Sequence, residues 1–119
     1  LIEHKKTIAI DFDGVIHMNN TGDEFQPKLI SDEPVPDTQF AIRQLRKFYK
    51  VVVYSARAVY PEGKTAIRIW LKKYNIEVDD ITYEKGPCLV YIDDRGLQFR
   101  GSWKQTLNDI ENFKQWLGH

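Results

Sequence analysis

Two carboxylates two residues apart, Asp11 and Asp13, follow directly on the apolar run Ile8-Ala9-Ile10 and precede Gly14. A β-strand alternates its side chains across the sheet, so the two carboxylates project to one side if the strand continues. Strand ends in open α/β sheets are where ligands bind, and Gly14 lets the backbone turn sharply away. Paired carboxylates so placed suit phosphate transfer; the alternative is a polar strand end entering a turn, since Asp and Gly are common turn residues. Two more apolar runs end in similar chemistry. Val51-Val52-Val53-Tyr54 leads into Ser55-Ala56-Arg57, and Lys85-Gly86-Pro87 precedes Cys88-Leu89-Val90-Tyr91-Ile92, which ends in Asp93-Asp94-Arg95-Gly96. Each run thus ends in polar groups suited to phosphate and metal.

This ordered set resembles the haloacid dehalogenase (HAD) superfamily of hydrolases over Ile8 to about Phe99. Asp11-Phe12-Asp13-Gly14-Val15 is similar to the first family motif, Ser55 to the second, Lys85 to the third, and Asp93 with Asp94 to the acidic fourth. The resemblance implies a phosphomonoester hydrolase in which Asp11 is the nucleophile, forming an aspartyl-phosphate, and Asp13 is the acid/base. It implies Mg2+ held by the Asp11 carboxylate, the Asp13 backbone carbonyl and Asp93, with Asp94 binding through water or orienting Lys85. Phosphate contacts fall to Ser55, to backbone amides such as that of Ala56, and to Lys85. Lys64 and Lys72 are rival third-motif residues. Ser55-Ala56-Arg57 is also similar to the Ser-Gly-Arg of polynucleotide kinase/phosphatases. Two readings of Arg57 stay open: a bidentate phosphate contact, or an ion pair with an acidic loop such as that of Glu62. Arg95 and Arg100 are weaker rim candidates, and His17 reads as a flap residue.

Length and composition narrow the setting. The 119 residues suit one domain spanning 1–119, and 42% hydrophobic with 29% charged residues suit a compact fold. Seventeen basic residues balance seventeen acidic ones, so no global field draws nucleic acid or an anionic membrane, and attraction for phosphate must be local. Cys88 is the only cysteine. No intramolecular disulfide can form, which with no recognisable signal peptide favours a reducing, cytoplasmic setting. Cys88 reads as a core thiol. No apolar run approaches the length of a membrane-spanning helix.

The elements that must carry these groups follow from periodicity. A first strand over Lys6 to Asp11 reads as central, being apolar on both faces. Val15 to Phe25 reads as a small flap hairpin turning at Asn19-Asn20-Thr21-Gly22-Asp23. A helix over Asp37 to Tyr49 carries Ala41, Leu45 and Phe48 and is capped by Asp37 or Thr38; a second, between Pro61 and Tyr74, carries Ile67, Trp70, Leu71 and Tyr74 and ends at Asn75. Ile81-Thr82-Tyr83 and Cys88 to Ile92 are strands. A last helix starts at Ser102 and runs toward Leu117, with Trp103, Leu107, Ile110, Phe113 and Leu117 on a core-facing stripe. Alternating strands and helices predict an α/β three-layer sandwich with a mainly parallel, Rossmann-like sheet. Neither HAD cap insertion point has room for more than a hairpin or one helix. By analogy, such an open site takes bulky phosphorylated substrates, nucleic-acid ends or phosphoproteins, unless an oligomeric neighbour covers it and selects small molecules. A polynucleotide 3′-phosphatase-like enzyme and a non-catalytic metal-binding regulatory module are the alternatives; a carbon dehalogenase is disfavoured because those relatives typically lack the second acid, Asp13.

Overall fold

A computed structural model describes residues 5–20 and 24–116. Its elements come in the expected order, β3 and β4 being joined without a helix: β1 (Thr7–Asp11), α1 (Thr38–Arg46), β2 (Lys50–Tyr54), a 3-10 turn (Ala56–Val59), α2 (Pro61–Lys73), β3 (Asp80–Thr82), β4 (Val90–Ile92) and α3 (Trp103–Glu111). The four strands form one all-parallel sheet in the order β3-β2-β1-β4. The expected α/β class, with no cap among the described residues, is the fold observed.

This order follows from chain direction and handedness. Steps from β1 to β2 and from β2 to β3 move the same way across the sheet, so right-handed crossovers put α1 and α2 on one face. That face holds the core: Ile8, Ile10, Phe12, Val51, Val53 and Ile81 from the sheet side pack with Ile42 of α1 and Ile67, Trp70 and Leu71 of α2. The connection from β3 then returns past β2 and β1 to the opposite edge. The direction of winding therefore reverses between β1 and β4, and the crevice beyond their carboxyl ends is where such sheets bind ligands.

Several local expectations differ in detail. In α1 the buried residue is Ile42, while Ala41 and Phe48 are exposed, so the inward stripe is shifted by one position. Neither proposed cap serves that helix: Asp37 makes no side-chain capping bond, and the Thr38 hydroxyl donates to the Val35 carbonyl at 2.7 Å. Asn75, at φ 56°, does terminate α2 in the left-handed conformation that favours Asn or Gly. The hairpin of residues 15–25 is replaced, among the described residues, by pairing of 16–18 with 33–35: Met18 donates to Glu33 and Val35 to Ile16. Its expected turn at 21–23 lies outside the described residues, as does Leu117.

The largest correction concerns β4 and α3. Val90, Tyr91 and Ile92 are all exposed, Cys88 is half-buried rather than in the core, and α3 buries none of its residues. Ser102 caps α3 as expected, accepting from the Gln105 amide at 3.2 Å, but the helix ends at Glu111, short of the predicted stripe. Hydrophobic periodicity reports that a face is apolar; here nothing within the described chain covers it.

Candidate active site

Register brings the acidic groups together. Ile10 pairs with Ile92, so the next residues along the parallel strands, Asp11 and Asp93, emerge side by side at their carboxyl ends. Asp94 joins them, and oxygens of Asp11, Asp93 and Asp94 lie within 4.8 Å of one another. Burial and the neighbouring charges of Asp93, Asp94 and Asp13 push the Asp11 carboxyl up to about 8. Without a cation the cluster relieves its repulsion by keeping a proton. One Asp94 oxygen, Oδ1, is buried and has no hydrogen-bond partner, while Oδ2 accepts from the Gln115 side chain at 2.8 Å.

Gly14 makes this approach feasible. Its φ is 88°, and a Cβ there would lie 2.2 Å from Asp94 Oδ2. Both the backbone turn and the neighbouring carboxylate therefore require glycine. Around the cluster a cleft of about 530 Å³ is lined by Asp11, Asp13, Ser55, Ala56, Asp94 and Arg95, among others. A slightly larger cavity, about 560 Å³, lies between the end of α2 and the start of β3, at the amino ends of the strands, with none of these groups in its wall. Chemistry, not size, marks the first as the candidate.

Asp13 is held more tightly than the sequence suggests. Arg57 donates from Nε to Asp13 Oδ2 at 2.9 Å and from Nη2 to Oδ1 at 3.1 Å. His17 Nδ1 lies 2.8 Å from Oδ1. The Asp32 amide donates to His17 Nε2 at 3.0 Å, which makes that nitrogen the acceptor and places the ring proton on Nδ1, facing Asp13. Burial alone would raise the Asp13 carboxyl; the bonds from His17 and Arg57 outweigh it and hold the group below its ordinary value. Asp13 is thus a fixed, ionised acceptor on the wall of the cleft. His17 is buried, stacked on Phe12 and edge-on to Trp70, and serves as a partner of Asp13.

Arg57 requires a correction. Its side chain is only 4% exposed, and besides Asp13 it serves the carbonyls of Gln26, Pro27 and Leu29. A guanidinium so engaged has no open fork for a phosphate. Of the two readings the ion pair is realised, with Asp13 in place of Glu62. The cation that does line the cleft is Arg95.

Ser55 and Ala56 line the cleft at the end of β2. Ser55 Oγ accepts from the Arg57 amide at 3.1 Å, capping the 3-10 turn, and its hydroxyl proton remains available to a ligand. Lys85 approaches Asp93 Oδ2 at 3.5 Å and sits over the rings of Tyr54 and Tyr91, at the carboxyl end of the sheet. Lys72 lines the cavity at the opposite end, and Lys64 lies within α2, leaving Lys85 as the lysine beside the acidic cluster. Tyr54 was not singled out by the sequence. Its hydroxyl donates a hydrogen bond to Asp93, and with the Arg95 amide and Lys85 this holds Asp93 below its usual range despite burial. Periodicity gives no sign of it: Tyr54 pairs with Asp11 across β1, and that register sets its hydroxyl beside Asp93. Gln115 and Trp116, which reach back to Asp94 and to the Gly14 carbonyl, carry no sequence signal.

No family model matches the chain, and no curated protein sequence does. Its fold is similar to a solved structure of a conserved protein from Bacteroides thetaiotaomicron, 22% identical, covering 97% of each chain with a TM-score of 0.57. At that identity the likeness speaks for the fold alone. No helix among the described residues is long and apolar enough to cross a membrane.

Proposed function

We propose that this chain is a phosphomonoester hydrolase of the HAD type, working through an aspartyl-phosphate on Asp11. The observation that carries the reading is the convergence of Asp11, Asp93 and Asp94 at the reversal point of the sheet, with a buried Asp94 oxygen that has no protein partner. An oxygen-only donor set with an unsatisfied buried member fits a hard divalent cation. Asp11, Asp93 and Asp94, with the Asp13 carbonyl, would hold magnesium, which when bound supplies charge neutralisation between carboxylates and phosphate.

The residues divide the remaining work. Asp11 forms a bond to phosphorus as the bond to the leaving oxygen breaks; water then adds to phosphorus, releasing phosphate and regenerating the carboxylate. Asp13, kept ionised by Arg57 and His17, takes the proton of that water. Its three donors suit the base half of the acid/base role better than the acid half, which favours esters whose leaving oxygen departs without full protonation. Ser55 and the Ala56 amide hold phosphoryl oxygens, and Lys85 stabilises charge that develops on them. With Arg57 buried, the guanidinium whose motif resembles that of the polynucleotide phosphatases is not free to grip a polymer, and a general phosphomonoester is the reading retained.

The test is hydrolysis of an aryl phosphate with magnesium or with EDTA, by wild type and Asp11→Asn. Metal-dependent turnover lost in the variant supports the proposal; equal turnover in EDTA, or an active Asp11→Asn, overturns it.

A further inference from the structure

The strongest unexplained surface is α3. A nine-residue helix is below the length at which helices persist alone in water, so it needs packing, yet α3 buries none of its residues within the described chain. Trp103, Leu107 and Ile110 fall on one stripe at i, i+4, i+7 and are 71%, 62% and 56% exposed. Phe99 extends the stripe, its ring 5.2 Å from that of Trp103, and the exposed Phe113 follows the helix. Three aromatic side chains of about 150–250 Å² each, together with the smaller Leu107 and Ile110, all between 37% and 71% exposed, present on the order of 500 Å² per protomer. With the stems of flanking residues this approaches the ~800 Å² per partner of a standard interface.

Charge identifies the occupant. Lys104 lies in the first turn of α3 and Glu111 at its end, the reverse of what the helix dipole favours within one chain. Seven residues apart, the two share one flank of the apolar stripe. When two such helices pack antiparallel about a two-fold axis, like flanks face each other. Lys104 of each then meets Glu111 of the other, and opposed dipoles replace unfavourable end charges. A balanced chain, seventeen charges of each sign, adds no net repulsion between copies. We infer that α3 is the contact of a two-fold homodimer, packed antiparallel against α3 of a second copy, with Trp103, Leu107 and Ile110 at its centre.

Light scattering coupled to size exclusion at micromolar concentration is the direct test. The expected mass is twice the 14.0 kDa of the chain, falling to one chain for Leu107→Lys, a change at an exposed position that leaves the core untouched. Lys104→Glu should weaken dimerisation at least tenfold, and Lys104→Glu with Glu111→Lys should restore it. A monomeric wild type, a dimer indifferent to Leu107→Lys, or a charge reversal that the double variant does not rescue each overturns the inference.

Discussion

Replacing Arg57 with Ala tests the structure where it departs most from its sequence reading. The change removes two of the three donors from Asp13, leaving only His17, and also the donor shared by the Gln26, Pro27 and Leu29 carbonyls, so a carboxylate only 22% exposed sits beside an empty space. Breaking a buried pair by deleting one partner costs about 3–5 kcal/mol. Two charge-assisted bonds at roughly 1.5–3 kcal/mol each give the same scale. For a domain of this size that is a fall in melting temperature of about 10–20 °C. The pH dependence has a definite sign. Asp13 is held below 3.8 in the folded state, so the pair's contribution is present above that pH and is lost as acid takes the carboxyl through its folded value. Denaturant unfolding at pH 7 and at about pH 3 should show a large gap between wild type and variant at the first and a smaller one at the second. Adding Asp13→Asn to Arg57→Ala should recover part of the loss, with a coupling of about 2 kcal/mol or more. A loss below about 1 kcal/mol at neutral pH, or strict additivity in the double variant, refutes the clamp; a loss of phosphate affinity with unchanged stability returns Arg57 to the substrate.

Further outcomes follow from the same contacts. Since Asp11 is raised from 3.8 to about 8, metal-free protein holds an extra proton when folded, so its stability should fall as pH rises through that window. Melting in EDTA at about pH 5 and pH 8 should show this for wild type and far less for Asp11→Asn; a stability that rises with pH for both alike contradicts it. Gly14→Ala forces a methyl toward Asp94 at a left-handed φ, costing about 1–3 kcal/mol and weakening magnesium binding by calorimetry. Normal binding by that variant would show that Asp94 does not need its present place. Lys85→Met should leave stability within about 0.5 kcal/mol, its side chain being 55% exposed, while lowering kcat on an aryl phosphate at least tenfold; unchanged kcat removes Lys85 from the mechanism.

The sheet was legible because its information is local. Runs such as Ile8-Ala9-Ile10 and Val51-Val52-Val53 name their strands, and the alternation with helices dictates parallel pairing. The meeting of Asp11 with Asp93 and Asp94 was legible too, since strand-terminal carboxylates on neighbouring parallel strands share one end of the sheet. Arg57 was not, because its partner is set by how 26–29 folds over the 3-10 turn, which no periodicity records. Tyr54 looked like the last apolar residue of β2, and only the register across β1 brings its hydroxyl to Asp93. The stripe of α3 was correctly seen as apolar and wrongly assigned to the core, because a pattern of side chains does not say whether the surface that covers it belongs to the same chain.

The central claim is that Asp11 carries the phosphoryl group, and rapid acid quenching during turnover tests it most directly. Protein mixed with magnesium and an aryl phosphate, quenched within the first turnover and mapped by peptide mass, should carry one phosphoryl group on the peptide containing Asp11, absent in Asp11→Asn and in EDTA. Metal-dependent turnover with no phosphoryl group on that peptide, or the same group still present in Asp11→Asn, would contradict the account.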